Sequence, residues 1–264
     1  MSKSKIVIFG TGEFAQEIFL YLKKFSKFQV VAFTVHKEFI KDEILFEKPI
    51  IPFEDIENYH SSNDISMLIC IGFSKMNKKR ERIFLEIKKK GYKLENFIHP
   101  SNYIWDEFEV GENCIILENN IIRPHVKIGN NVIIENNNVI SHHSIIKDHC
   151  YITSQVVVAG HVTIEPNCYL GINSTIRNRV KLERECLIGA GAVILRNTKE
   201  KEVYSAKTIQ LSGKSDELDF WKLQYVFLSH DVDWRKQGPE LEHILARKER
   251  FDPQLFEKTP IEKM

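Results

Sequence analysis

The chain has 264 residues, 43% of them hydrophobic, enough for a sizeable core and more than one domain of usual size. Lysine plus arginine (37) nearly balances aspartate plus glutamate (36), and the net charge of +1 offers no argument for nucleic-acid or membrane-surface binding. No stretch is apolar for long enough to span a bilayer, so a soluble cytoplasmic protein is expected.

Residues 1–95 alternate between strand and helix patterns. Lys5–Phe9 reads as a short apolar strand, followed by a Gly10-Thr11-Gly12 turn and a helix with Phe14, Ile18, Tyr21 and Leu22 on one face. Phe28–Phe33 and Met67–Gly72 read as further strands, and Lys75–Lys90 as a charged helix ended by Gly91. Strand, glycine turn, helix and strand describe a small Rossmann-like α/β unit. Gly10-Thr11-Gly12-Glu13-Phe14-Ala15 fits G-x-G-x-x-A after a strand and at a helix start, where close backbone approach and unpaired N–H groups suit a phosphate. The second strand ends Phe33-Thr34-Val35-His36, without the acidic residue that would hold a dinucleotide ribose. The unit is also about half a full dinucleotide fold, so a nucleoside diphosphate fits better than NAD. The plainer alternative is a tight connection with no ligand.

From Ile98 to Ile194 an aliphatic residue falls at every sixth position, seventeen in register. Helices repeat every three to four residues and strands every two, so a period of six indicates a parallel β-helix spanning residues 96–199. Four residues after each aliphatic the side chain is usually small or β-branched, as at Cys114, Val126, Ser144, Val156 and Ala192, which suits a narrow interior. Four of the five cysteines lie in that second column, and Cys150, Cys168 and Cys186 are 18 apart, so they are expected to stack inside as small hydrophobes. Residues 200–264 break the period and form a helical or irregular C-terminal extension. There the apolar run Asp219–Leu228 and the helically spaced Pro239–Arg250 suggest a cap or an arm reaching another subunit.

His142 and His143 follow Ile140 at positions that point outward. In steps of 18, His125, His143 and His161 form one surface column, and Pro124, His142, Gly160 and Asn178 the next. An outward histidine is commonly just a polar surface residue. Zinc is the rival reading, since the β-helix carbonic anhydrases resemble this region in fold and bind metal through three histidines. Their close pair is separated by four residues, which the spacings from His142 or His143 to His149 do not match, so no metal is expected.

The order of features resembles a known family. It runs from the glycine turn through Phe97-Ile98-His99-Pro100-Ser101, Val139-Ile140-Ser141-His142, Ala159-Gly160-His161-Val162-Thr163-Ile164 and Asn167–Ser174 to Ile188-Gly189-Ala190-Gly191-Ala192-Val193. Over about residues 4–205 this is similar to the bacterial nucleotide-sugar acyltransferases of the bacillosamine N-acetyltransferase and sialic-acid O-acetyltransferase type. The resemblance implies a homotrimer of left-handed β-helices with active sites between adjacent prisms. It implies an acyl-CoA co-substrate, acetyl-CoA first, no metal, and an acceptor amine on a UDP- or dTDP-linked amino deoxy sugar. His142 matches the general base. Gly10 to Ala15, Thr34 and the strand end Gly72-Phe73 match the nucleotide-sugar site, and Glu135 is expected either to orient the base imidazole or to contact the sugar. Gly160, Ile172 and Ala190 match the backbone sites along the pantetheine arm.

Three departures stand out. His143 replaces the usual acidic residue after the base, Tyr204-Ser205-Ala206-Lys207 replaces the usual Gly-Val-Pro-Ala-like ending, and the last 50 or so residues are added. A longer donor such as 3-hydroxybutanoyl-CoA, sugar O-acetylation, a zinc hydratase and a non-catalytic trimeric scaffold are the alternatives.

Overall fold

The structure is a computed structural model that describes residues 4–206. The runs Asp219–Leu228 and Pro239–Arg250, with the rest of the expected extension from residue 207 on, lie outside the described residues. Among those described, no helix is long and apolar enough to cross a membrane.

The N-terminal part is a six-stranded sheet. β1 (Ser4–Phe9) leads into α1 (Glu13–Phe25) and β2 (Phe28–Val35). β3 (Ile44–Leu45), β4 (Lys48–Pro52), α2 (Ile56–Tyr59) and β5 (Ser66–Ile69) follow, then α3 (Lys78–Lys89) and β6 (Lys93–Leu94). The order is β3-β4-β2-β1-β5-β6, parallel except for the β3–β4 pair. That is the Rossmann-like half expected from the alternating pattern. Ile6, Ile8, Ile18, Leu22 and Phe33 are fully buried between sheet and α1. Gly91 ends α3 with φ +80°, its N–H bonded to the Lys88 carbonyl at 3.0 Å.

The expected start of α3 needs correction. Lys75, Met76 and Asn77 have φ of 46°, 50° and 59°, so the helix begins at Lys78. Helical spacing alone does not register that these residues are drawn out of the helix to dock. The Asn77 amide donates to the His149 carbonyl at 2.8 Å, and the Asn167 amide to the Met76 carbonyl at 3.2 Å.

From Phe97 on, two-residue strands alternate with four-residue corners, and every third strand pairs in parallel to build a three-sided prism. The second residue of each strand points inward. Ile116, Ile134, Ile152, Leu170 and Ile188 are all 0% exposed, and so are Cys168 and Cys186 from the second inward column. Burying such side chains contributes about 1.5–3 kcal/mol each, which is why the six-residue period is so strict. Asn120 and Asn138 also occupy that second column, each fully bonded. Asn120 Oδ1 accepts the Asn138 N–H at 2.8 Å, and the Asn138 side chain does the same for Val156 at 2.7 Å. The coil continues to Val203–Tyr204, which pairs with Leu187–Ile188.

From Asn113 to Asn173 the third residue of each corner is left-handed. Asn113, Asn119, His125, Asn131, Asn137, His143, His149, Gln155, His161, Asn167 and Asn173 all have φ between 57° and 63°. Asparagine tolerates this conformation better than most residues, and it fills six of these eleven places.

The three outer faces differ. The first, with outward residues Phe97, Ile115, Ile133, Tyr151 and Tyr169, is covered by the N-terminal domain and shares a core with Ile18, Leu22 and Leu68. The second presents Tyr103, Ile121, Val139, Val157, Thr175 and Val193, of which Tyr103, Ile121, Val157 and Val193 are 63%, 41%, 40% and 60% exposed. The third carries Glu109, Lys127, Ile145, Thr163 and Lys181 and is largely charged or polar. At the corner between the third and first faces, Arg80 of α3 is 2% exposed with no carboxylate partner. Its Nη2 donates to Asn131 Oδ1 at 2.7 Å, and burial pushes its guanidinium down to about 10. Asn131 also accepts from Asn113 Nδ2 at 2.7 Å and lies 2.9 Å from His149 Nδ1 through its own amide. Replacing Asn131 with Ala strands a buried cation and removes a residue suited to φ > 0. A loss of about 2–4 kcal/mol is expected in denaturant unfolding, and a change below about 1 kcal/mol would show that the Arg80 dock does not hold the two domains together.

Candidate active site

The glycine turn is built by close packing. At Gly10 (φ +131°) a Cβ would sit 2.5 Å from the Cys70 carbonyl oxygen, so no other residue fits there. Its N–H donates to the Thr34 carbonyl at 2.9 Å, tying the turn to the end of β2. Thr34 itself is fully buried, and its hydroxyl donates to the Ile51 carbonyl at 2.7 Å, so this candidate supports the turn from beneath and presents no hydroxyl to the surface. Gly12 lies open at the N-terminus of α1, which has no side-chain cap, leaving its first N–H groups facing outward. Thr11 and Phe14 are partly exposed, Glu13 is exposed, and Ala15 is buried against the turn. Gly72 is exposed beyond β5, and Phe73 packs on Tyr169 with ring centres 4.1 Å apart.

α1 carries this turn to the edge between the first and second faces, where Glu135 stands. The Glu135 carboxylate accepts from Tyr151 Oη at 2.8 Å and Ser154 Oγ at 3.0 Å. Three residues not anticipated as site residues from sequence join it. Tyr21 Oη donates to Glu118 at 2.8 Å, and dehydration followed by that bond pushes the Tyr21 phenol up to about 12. The Glu17 carboxyl is raised by partial loss of water, then by Glu135 and Glu118. Three carboxylates thus cluster along α1, a grouping that sequence spacing could not assemble, because Glu17 and Glu118 belong to different domains. The outward tyrosines 151 and 169, one coil apart, were its one sequence signal.

Ile172 and Ala190 lie farther along the same edge, both exposed, with Ile172 at 53%. His142 and Gly160 lie on the next edge, between the second and third faces. A single chain therefore brings the glycine turn, Glu135, Ile172 and Ala190 to one edge and His142 and Gly160 to another, with the exposed second face between them.

The His142 ring rests on Gly160, where an added Cβ would meet ring atoms Cε1 and Nε2 at 2.8 and 2.9 Å. On its other side His142 Nδ1 lies 3.2 Å from His143 Nδ1, so one of these nitrogens donates and the other accepts. His143 stacks on His161 (4.9 Å between centres, 18° between planes) and lies 4.7 Å from His125. Its imidazole is held below the ordinary histidine pKa, by desolvation first and then by His125, His161 and His142. Both columns read from the sequence are thus present, and they touch each other. One donor atom each from His142, His143 and His161 lies within 4.8 Å of the other two, a spacing that could hold a metal ion. The chain separations used to set metal aside did not register that a coil of 18 residues brings His161 alongside His142 and His143.

The bacterial transferase hexapeptide family (six repeats) matches residues 125–160 and 161–196. No curated protein sequence matches significantly. Among solved structures, the chain is similar to perosamine N-acetyltransferase from Caulobacter crescentus, solved as a variant with a histidine replaced by asparagine, in complex with CoA and GDP-perosamine. Identity is 20%, the TM-score 0.69, and the match covers 80% of this chain and 97% of that one. It is similar to the acetyltransferase domain of PglB from Neisseria gonorrhoeae FA1090 at 17% identity and TM-score 0.66, over 77% of this chain and 97% of that chain. WeeI from Acinetobacter baumannii AYE matches at 19% identity and TM-score 0.63, over 76% of this chain and 93% of that one. The repeat match and the likeness to these structures show that the chain carries hexapeptide repeats and has the left-handed β-helix fold.

Proposed function

We propose that the protein is an acyl-CoA-dependent N-acyltransferase acting on the amino group of a nucleotide-linked amino deoxy sugar, with His142 as general base. The observation that carries this reading is the exposed His142 imidazole, seated on Gly160 and in line with His143, on a fold that also presents a phosphate-type glycine turn. In the reaction the sugar nitrogen bonds to the thioester carbon, the CoA thiolate leaves, and the amine proton passes to His142. An imidazole suits that task near neutral pH, and a backbone N–H on the acyl-CoA edge would steady the developing oxyanion. Holding both substrates in one cleft supplies much of the acceleration.

Gly10, Thr11, Gly12 and the first turn of α1 take the diphosphate. Phe73 with Tyr169 offers an aromatic surface for the base, and Glu135 contacts the sugar. Gly160, Ile172 and Ala190 line the acyl-CoA arm. The perosamine enzyme binds GDP-perosamine and CoA, which adds GDP to UDP and dTDP as the nucleotide. Acetyl is the first donor, and the PglB domain has been solved in complex with acetyl coenzyme A. A longer donor such as 3-hydroxybutanoyl-CoA is the second reading, as is an acceptor hydroxyl in place of the amine. Acyl-CoA and nucleotide sugars are cytoplasmic metabolites, and the cytoplasm is the proposed place of action.

The working unit is a homotrimer. Its support is the exposed apolar second face, flanked on one edge by His142 and Gly160 and on the other by Glu135, Ile172 and Ala190. Packing that face against a neighbouring prism brings the histidine edge of one chain to the sugar-nucleotide edge of the next, and the site is incomplete without it.

Three measurements test this. His142→Ala is expected to lower turnover by about two to four orders of magnitude with acetyl-CoA and UDP-, dTDP- or GDP-amino sugars, products being followed by mass spectrometry. Near-normal turnover would remove His142 from the mechanism. Gly160→Ala pushes the His142 ring aside while leaving the core untouched. Turnover should fall about tenfold to a hundredfold with little change in Tm, and an unchanged rate would show that the ring position does not matter. Val157→Glu places a charge at the centre of the second face. Light scattering should then read a folded monomer, with transfer reduced by at least about tenfold, whereas an intact trimer with full activity would refute the assembly.

A further inference from the structure

We propose that His142, His143 and His161 form a binding site for a divalent transition-metal ion of the zinc class, and that occupancy of this site silences the base. The second half rests on the acyltransferase reading above; the first half does not.

The geometry carries the site. Tetrahedral zinc with bonds of about 2.0–2.1 Å to imidazole sets neighbouring nitrogens about 3.3 Å apart. The His142 and His143 Nδ1 atoms are 3.2 Å apart, and a donor atom of each of the three rings lies within 4.8 Å of the others. Small rotations of exposed rings close the remaining gap. The backbone beneath is rigid, because the His161 N–H donates to the His142 carbonyl at 3.0 Å and the His143 N–H to the Pro124 carbonyl at 3.1 Å. Three imidazoles with a fourth position open to water suit zinc, copper or nickel and not calcium or magnesium.

The corner pattern points the same way. At the other two edges the left-handed position is mostly asparagine, as at Asn113, Asn131 and Asn167 or Asn119, Asn137 and Asn173. At this edge it reads His125, His143 and His161. The asparagines suit the left-handed corner, whereas these histidines are exposed and, among the described residues, bond no other chain segment through their rings. Arg179, next in the column, is the opposing charge, but it is exposed and so screened by solvent.

A metal bound here engages a lone pair of His142 and competes with the proton it must accept. Inhibition without destabilisation is the expected consequence.

The test uses the full chain. Titration with Zn2+ by calorimetry, and with Co2+ by its visible tetrahedral bands, should give one ion per chain. His161→Asn and His143→Asn keep a residue that accepts the left-handed corner, so both should fold. Each should weaken binding at least about tenfold, while the distant His36→Asn leaves it unchanged. Absence of the Co2+ bands, or binding untouched by His161→Asn, would overturn the site. In the same preparations, stoichiometric Zn2+ should abolish acyl transfer by the wild type and a chelator restore it. Binding with undiminished turnover would overturn the inhibitory role. If metal-free protein transfers no acyl group to any amino sugar, the functional reading fails, while the Co2+ spectrum still decides the site.

Discussion

The closing of each triangular coil at its left-handed corner residue is the constraint on which everything else depends. A coil of 18 residues turns three times, and from Asn113 to Asn173 each turn uses one residue with φ near 60°. Once those corners are set, residue i sits on residue i+18, and backbone bonds such as His143 N–H to Pro124 O and His161 N–H to His142 O lock the rungs. Outward side chains then stack into columns whose chemistry is uniform along an edge. The histidine edge exists because His125, His143 and His161, separated along the chain by 18 residues, fall on one line beside His142.

The three faces of the prism divide the labour. The first is dry, because Phe97, Ile115, Ile133 and Tyr151 pack under α1 and β5. That packing orients the glycine turn toward the adjoining edge, and the buried Arg80–Asn131 bond sets its register from the opposite corner. The third face is left to solvent. The second is apolar and exposed, and the two halves of the proposed site lie on either side of it.

Crowding governs the chemistry of the histidine edge. His143 meets His142 through nitrogen, and desolvation together with the surrounding imidazoles holds its pKa below the ordinary histidine value. Neutral imidazole is both a proton acceptor and a metal ligand. One arrangement therefore serves the proposed base and the proposed inhibitory ion, and the two compete for the same lone pair.

The amino-acid sequence by itself determined the prism, because a buried aliphatic at every sixth residue admits no other packing. It also determined the Rossmann-like half, the inward cysteines and the outward columns, all of which follow from local period and the reach of one coil. The asparagines recurring at steps of six, from Asn113 to Asn173, were a legible corner signal that hydrophobic periodicity passes over. What only tertiary structure decided were contacts between distant segments. These include Glu17 and Tyr21 beside Glu118 and Glu135, the left-handed run at Lys75–Asn77 and the burial of Thr34. Periodicity reports which way a side chain points, but not which part of another domain lies opposite it, and those meetings depend on how two separately patterned surfaces dock.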